Sequence, residues 1–420
     1  MTGLDGPTLL RRFLTLRASR WFPSGLMIPV GVLYLVDRGL SLAQIGLVFA
    51  AQGGVVLLLE LPTGGLADVI GRRRVLVLAN LFELVSLSLI VFGRTLGTFA
   101  VAFALQGVFR ALESGPLDAW YVDGTHQTAS GADVDRGLSR GGVVLGLSIA
   151  AGAIISGALV RLDPVPGLEP LVTPIVFSIL LRAGDTILVL RLMTEVRPPL
   201  GWAALADSAR EVPRIIAGAF HLAWTSAALG LIVAVELFWG FGMAAFESLF
   251  PVRLGEVLGD LDRAAALMGP VAAAAWVVSS GGAAIVLWFS RRLGQHAAAA
   301  WMRLIQAATV AAMGFLGGVV GLITAYLMCF VVHGAANPVH LSLLHQQAQS
   351  SNRATVASLN SMAGLTAGAL GGIVLGAIAD NAGVSVGMYV GALVLAAAAP
   401  LYVLAKRRGP TRPVEVVTEA

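Results

Sequence analysis

An all-α membrane protein, with twelve transmembrane helices in two six-helix bundles, is the fold class this sequence predicts, and three observations predict it. Hydrophobic residues make up 57% of the 420-residue chain and charged residues only 12%, about half the charged share of soluble domains. Long apolar segments recur with room for a dozen spans of ~20 residues, the length that crosses a ~30 Å hydrocarbon core. Positive charge gathers in every second loop, and one polar, proline-bearing stretch separates the spans six from six.

The expected spans cover residues 13–36, 42–67, 75–92, 98–121, 141–160 and 171–193 in the first half. In the second half they cover 222–250, 264–289, 298–316, 318–340, 354–379 and 384–405. One set of faces carries Arg11, Arg12, Arg17, Arg20, Arg72–Arg74, Arg136 and Arg140, then Arg191, Arg197, Arg210 and Arg214. It continues with Arg291, Arg292 and Arg353 and ends with Lys406, Arg407, Arg408 and Arg412. The opposite faces carry only Arg38, Arg94, Arg161, Arg253 and Arg263. That asymmetry places both termini in the cytoplasm and the chain in the inner or plasma membrane as a multi-pass protein. The first apolar stretch is long and has Arg17 and Arg20 near its start, so it reads as a first span and not as a cleavable signal peptide.

The organisation expected is a bundle over 1–193, a cytoplasmic linker over 194–221, a second bundle over 222–405 and a cytoplasmic tail over 406–420. In the linker, Trp202, Leu205, Ala209, Val212 and Ile216 fall on one side of a helix that would lie in the membrane interface; a plain linker explains them equally well. The net charge of +4 is spread over loops without a basic stripe, which argues against nucleic acid as a partner. Cys329 is the only cysteine, excluding intrachain disulfides and Cys-based metal sites. No phosphate loop ending in Lys-Ser/Thr and no Gly-x-Ser-x-Gly is present, and the loops are too short for an appended catalytic domain. An enzyme is therefore not expected, nor a resident cofactor or metal.

Between the second and third spans lies Gly64-Gly65-Leu66-Ala67-Asp68-Val69-Ile70-Gly71-Arg72-Arg73-Arg74. Its glycines permit a tight turn, and its acid and arginines form a compact charge cluster at the membrane surface. The pattern Gly-x-Leu-Ala-Asp-x-x-Gly-Arg-Arg resembles the motif between helices 2 and 3 of the major facilitator superfamily of secondary transporters. The resemblance implies that Gly64, Gly65, Asp68, Gly71, Arg72 and Arg73 build a cytoplasmic gate in which the acid and the arginines clasp the two halves. An ordinary positive loop that fixes topology is the plainer reading. Ser290-Arg291-Arg292-Leu293-Gly294 after the eighth span is a weak echo of the same turn, without an acid at the position of Asp68.

Ionisable groups inside spans are costly and mark function by default. The fourth span holds Arg110, Glu113 and Asp118, with Arg110 near mid-membrane and Glu113 three residues on, placed to pair with it. Arg110 with Gly115 also resembles the fourth-helix motif of the same superfamily, which implies a part for Arg110 in proton coupling; Glu113 and Pro116 depart from that pattern. A static pair that fixes helix packing is the alternative. In the sixth span Arg182 and Asp185 repeat the spacing and read as structural. Glu236, mid-membrane in the seventh span with no basic neighbour on its helix, is expected to face a cavity and bind a proton or a cationic substrate. Glu247 reads as a gate or rim residue, and Glu60 and Glu83 as part of the gate network near Asp68. His333, Asn337 and His340 surround Pro338, as a proton relay or as hydrogen-bonded packing residues.

Glycines at 141, 142, 146, 152 and 157 in the fifth span resemble a degraded form of the glycine-rich motif of the superfamily's drug–proton exchangers, although close helix packing explains them too. The function expected is that of a secondary active transporter, driven by the proton gradient, that exports a small amphipathic compound such as an antibiotic by alternating access. Trp21, Phe22, Trp120, Trp239 and Phe246 are expected to line its cavity. Metabolite uptake by proton symport or facilitated diffusion is the alternative, and a receptor or scaffold without transport a third. The partners expected are the small-molecule substrate, protons and the lipid bilayer, with the protein a monomer.

Overall fold

The computed structural model describes residues 5–128, 133–195, 224, 226–348 and 352–408, and these form α-helices joined by short turns. The first half contains α1 (Gly6–Met27), α2 (Gly31–Asp37), α3 (Leu42–Ile70), α4 (Arg72–Phe92), α5 (Leu96–Glu113), α6 (Pro116–Thr128), α7 (Val134–Leu162) and α8 (Thr173–Leu192). The second contains α9 (Ala227–Glu247), α10 (Leu249–Leu258), α11 (Leu261–Leu293), α12 (Gln295–Phe315), α13 (Val319–Gln346), α14 (Arg353–Ala382), α15 (Val384–Ala397) and α16 (Ala399–Arg408). Paired pieces make four of the spans: α1 with α2, α5 with α6, α9 with α10, and α15 with α16. The fold is the all-α, twelve-span arrangement. Ten segments are long and apolar enough to cross a membrane; the broken first span and α8, which carries Arg182, Asp185 and Arg191, complete the set.

Polar side chains start many of these helices by accepting from N–H groups that have no partner inside the helix. Asp5 Oδ1 accepts from Thr8 N at 3.0 Å, Ser41 and Gln44 form a reciprocal capping box, and Asp260 Oδ1 accepts from Arg263 N at 3.0 Å. Single glycines in the left-handed region reverse the chain between spans: Gly71 at φ 95° and Gly294 at φ 78° occupy matching turns in the two halves. The echo of one turn in the other is thus a repeat of backbone geometry.

Several boundaries differ from the sequence expectation for identifiable reasons. Gly64 and Gly65 do not turn the chain; α3 continues through them to Ile70 and reverses at Gly71, whose N–H still bonds Ala67 O at 3.1 Å. The first span starts at Gly6 because Asp5 caps it there, so Arg17 and Arg20 lie about three to four turns into α1 and not near its start. The fourth span breaks after Glu113, where Gly115 has φ 94° and Pro116, lacking an N–H to bond backwards, begins α6. The proposed interfacial helix on Trp202 to Ile216 lies outside the described residues.

The two halves touch along two crossings, α3 against α14 and α7 against α11. At the first, a side chain on Gly46 would meet the backbone of Gly372 at 2.3 Å; at the second, one on Gly157 would meet Ala266 O at 2.4 Å. Both crossings lie away from the end of the bundle that bears the termini. Gly53 and Gly146 share the helix faces of Gly46 and Gly157 but sit nearer that end, and they look onto open space. Apolar packing says the same. One cluster unites both halves at the far end, from Leu33, Tyr34 and Val48 through Phe246, Leu254 and Met268. Toward the terminus-bearing end the cores separate into clusters confined to one half or the other. Among the described residues, the two halves pack together at the far end and form separate cores at the end of the termini.

Candidate functional site

In the first half the interior is an ion network. Arg20 on α1 donates from Nη1 to Asp185 Oδ2 at 3.1 Å and to Asn80 Oδ1 at 3.3 Å. Its Nε lies 3.5 Å from Glu113 Oε1. Asn80 donates back to Asp185 Oδ2 at 2.9 Å, and Ser19 donates to the other carboxylate oxygen at 2.5 Å. Arg182 stands 3.7 Å from Asp185 and lies over the Phe109 ring at 4.7 Å. Arg20, Arg182 and Asp185 are 2%, 0% and 1% exposed. The Asp185 charge is tolerated this deep because two guanidiniums answer it and Asn80 and Ser19 add hydrogen bonds.

This arrangement corrects the expected pairing of Arg110 with Glu113. The helix ends at Glu113, which turns to Arg20, while Arg110 points away from it and is exposed. Asp118 forms an ion pair with Arg17. Glu83 does not join the loop cluster. It lies eleven residues from Arg72, about 16 Å along the helix, and accepts from Gln106 Nε2 at 3.4 Å. Trp120 is fully buried and donates to Thr194 O at 2.6 Å, and Phe246 is fully buried in the core, so neither lines a cavity.

The gate-motif arginines bind within their own half. Arg72 Nη1 pairs with Asp123 Oδ2 at 2.6 Å. Arg73 donates from its backbone N to Glu195 Oε1 at 3.0 Å and from Nη2 to Leu190 O at 2.5 Å. The side chains of Glu60, Gly64, Gly65 and Asp68 lie outside the described set.

In the second half the interior polar groups are mostly neutral. Glu236 Oε2 on α9 lies 3.3 Å from His340 Nε2 on α13, and the same nitrogen lies 3.0 Å from Asn360 Oδ1 on α14. His340 Nδ1 is 2.8 Å from the Tyr402 hydroxyl on α16. Because Nε2 faces two oxygen acceptors, it carries the hydrogen, and Nδ1 accepts from Tyr402. Arg303 on α12 donates to Gln306 Oε1 at 2.9 Å and lies 5.6 Å from the Trp239 ring centre. Trp239 in turn stacks on His333 at 5.5 Å. Asn337 is exposed, and among the described residues no group of three His, Cys, Asp or Glu could hold a metal ion.

Sequence reasoning missed Arg20, Asn80, Arg303, Gln306, Asn360 and Tyr402. Arg20 falls inside the expected first span but reads from the sequence as one of the positive charges of the cytoplasmic face. A signal for three of the others existed: Asn80 with Glu83 and Arg303 with Gln306 are polar pairs three apart on the third span of each half. Glu247, expected at a rim, stands at the break between α9 and α10 instead, near mid-depth. The field of Arg110 reaches it from the other half.

The model of the Major Facilitator Superfamily matches residues 15–372. No curated protein matches the sequence. Among solved structures, the nucleoside transporter NupG superposes with a TM-score of 0.78 at 13% identity, covering 95% of this chain and 99% of that one. A bacterial homologue of the human lysosomal transporter Spinster, inward-facing and unoccupied, gives 0.72 at 15% identity, covering 96% and 97%. The human organic anion transporter MFSD10 (TETRAN) gives 0.61 at 15% identity, covering 95% and 100%. At these identities the likeness is one of fold. With the family match running over most of a chain built as two helical halves, the protein belongs to the major facilitator superfamily of membrane transporters.

Proposed function

We propose that the protein is a proton-coupled exporter of small amphipathic compounds, with the regions 1–193 and 222–405 as its two moving bodies. The terminus-bearing end is the cytoplasmic one, as the loop charges suggest, and the described conformation is open to the cytoplasm. Glu236 carries the proton. The observation behind this reading is its surroundings: its side chain is 13% exposed, 3.3 Å from His340 Nε2 and, among the described residues, without a direct ion pair to an arginine. Glu113, Asp118 and Asp185 are each tied to a guanidinium by contrast. Protonation of Glu236 therefore changes the charge of the second half without breaking the first.

Purified protein in proteoliposomes, given an imposed pH gradient and a panel of amphipathic cations, tests the proposal. Export against the proton gradient should collapse with an uncoupler, and Glu236→Gln should lower gradient-driven flux at least tenfold while leaving downhill exchange intact. Gradient-driven flux that survives Glu236→Gln removes the residue from coupling. Substrate movement in the direction of the protons would indicate uptake by symport instead.

A further inference from the structure

Arg110 and Glu247 differ from the other charges near mid-depth: among the described residues neither makes a hydrogen bond or an ion pair. Both are exposed. Arg110 lies fourteen residues from the far-end start of α5, and Glu247 eleven from the far-end finish of α10. At 1.5 Å per residue those depths are about 21 Å and about 16 Å, so the two groups stand at nearly one level in opposite halves. Each acts electrostatically on the other, and Arg110 also acts on Glu83 in its own half. It therefore faces the space between the halves and not the lipid.

Beside Glu247, within reach of its field, is Tyr326. Tyr326 begins an aromatic wall on α13 that continues through Phe330 at 4.8 Å to His333 at 6.0 Å. His333 Nδ1 and the indole N–H of Trp239, stacked on it, are buried without a hydrogen-bond partner.

We propose that Arg110 and Glu247 are the two poles of one substrate subsite, and that the ligand is dipolar. An anionic group such as a carboxylate meets Arg110, a protonated amine meets Glu247, and an aromatic or apolar body lies along the half-buried Phe330 and His333. The physical reason is cost. Two lone charges at mid-depth are expensive, and a ligand carrying both opposite charges neutralises them together while drawing the two halves toward one another. A purely cationic ligand would leave Arg110 unanswered, and a purely anionic one Glu247. This rests on the transport reading above and sharpens its substrate class from amphipathic to zwitterionic.

The test uses binding to the purified full-length protein at fixed pH, followed by thermal shift and tryptophan fluorescence, with no gradient. It is therefore independent of whether Glu236 couples protons. Three probes serve: phenylalanylphenylalanine, its methyl ester, which is a cation only, and its N-acetyl form, which is an anion only. The zwitterion should bind at least tenfold tighter than either, the scale of one charge-assisted hydrogen bond. Arg110→Gln should erase its advantage over the ester, and Glu247→Gln its advantage over the N-acetyl form, each without weakening that reference probe. Equal affinity for all three, binding by none, or a uniform loss across probes in both variants would overturn the proposal. Unliganded melting temperatures show whether a variant has merely misfolded.

Discussion

The first half of the molecule holds its interior together with charge, the second with neutral hydrogen bonds. Around Arg20 and Asp185, cations and anions from α1, α5 and α8 interlock with an amide from α4, and removing one charged member leaves its partners charged and buried. Around His340, a phenol, an amide, an imidazole and one carboxylate from α9, α13, α14 and α16 meet with little formal charge. The first, fourth and sixth spans of each half supply both clusters, with the third span added in one and the fifth in the other, so the halves are repeats in backbone and opposites in electrostatics. The contrast teaches where a proton can be taken up without collapse: in the half whose framework does not depend on ion pairs.

The largest expected effect comes from breaking the charged half. Asp185→Ala leaves Arg20 and Arg182 facing each other in a site closed to water, at a cost of about 3–5 kcal/mol. In thermal melts or denaturant titrations the variant should fall well below wild type, or fail to yield monodisperse protein. A melting temperature within a degree of wild type would show that the network is not what braces this half. Arg182→Gln combined with Asp185→Asn, which removes one charge of each sign, should recover part of the loss.

Next in size is the seam between the halves. Asp380 at the end of α14 accepts from Leu42 N at 2.8 Å and Ala43 N at 2.9 Å, so a carboxylate of the second half caps the first turn of α3 in the first. A cap of this kind, with the favourable helix-end charge, is worth about 0.5–2 kcal/mol. It exists only while the far end is closed. Asp380→Ala should therefore shift the population toward the state open at the far end several-fold. Spin-label distances across that end in a Cys329→Ser background would report it, and unchanged distance distributions would show that apolar packing alone holds the seam.

The fold was largely legible in the sequence because span length and loop charge are properties of whole segments, and an error of a few residues leaves them intact. Site geometry tolerates no such error. Arg20, which reads from the sequence as one of the positive charges of the cytoplasmic face, lies fourteen residues into a helix that begins at Gly6, at the centre of the ion network. The spacing of three put Arg110 on Glu113, but Glu113 ends α5 and is taken by Arg20, which comes from another span, while Arg110 is left exposed. Asn360 and Tyr402 gave no sign at all, since one amide or phenol in an apolar span has meaning only once its neighbours from other spans are known.

The smallest predicted change probes the neutral half directly. Tyr402→Phe removes one hydroxyl and leaves His340 Nδ1 as a buried acceptor without a donor, for a loss of about 0.5–1.5 kcal/mol. Arg303, which also reaches the Tyr402 hydroxyl, keeps its bond to Gln306 Oε1, and His340 Nε2 keeps its hydrogen directed at Glu236 and Asn360. The variant should fold, melt slightly lower and keep most of its downhill exchange. The comparison with Asp185→Ala is what gives the measurement its force, since both variants delete one hydrogen-bonding group from a buried cluster of similar connectivity. If the two losses come out equal, formal charge does not distinguish the halves, and the reason given for placing the proton on Glu236 goes with it.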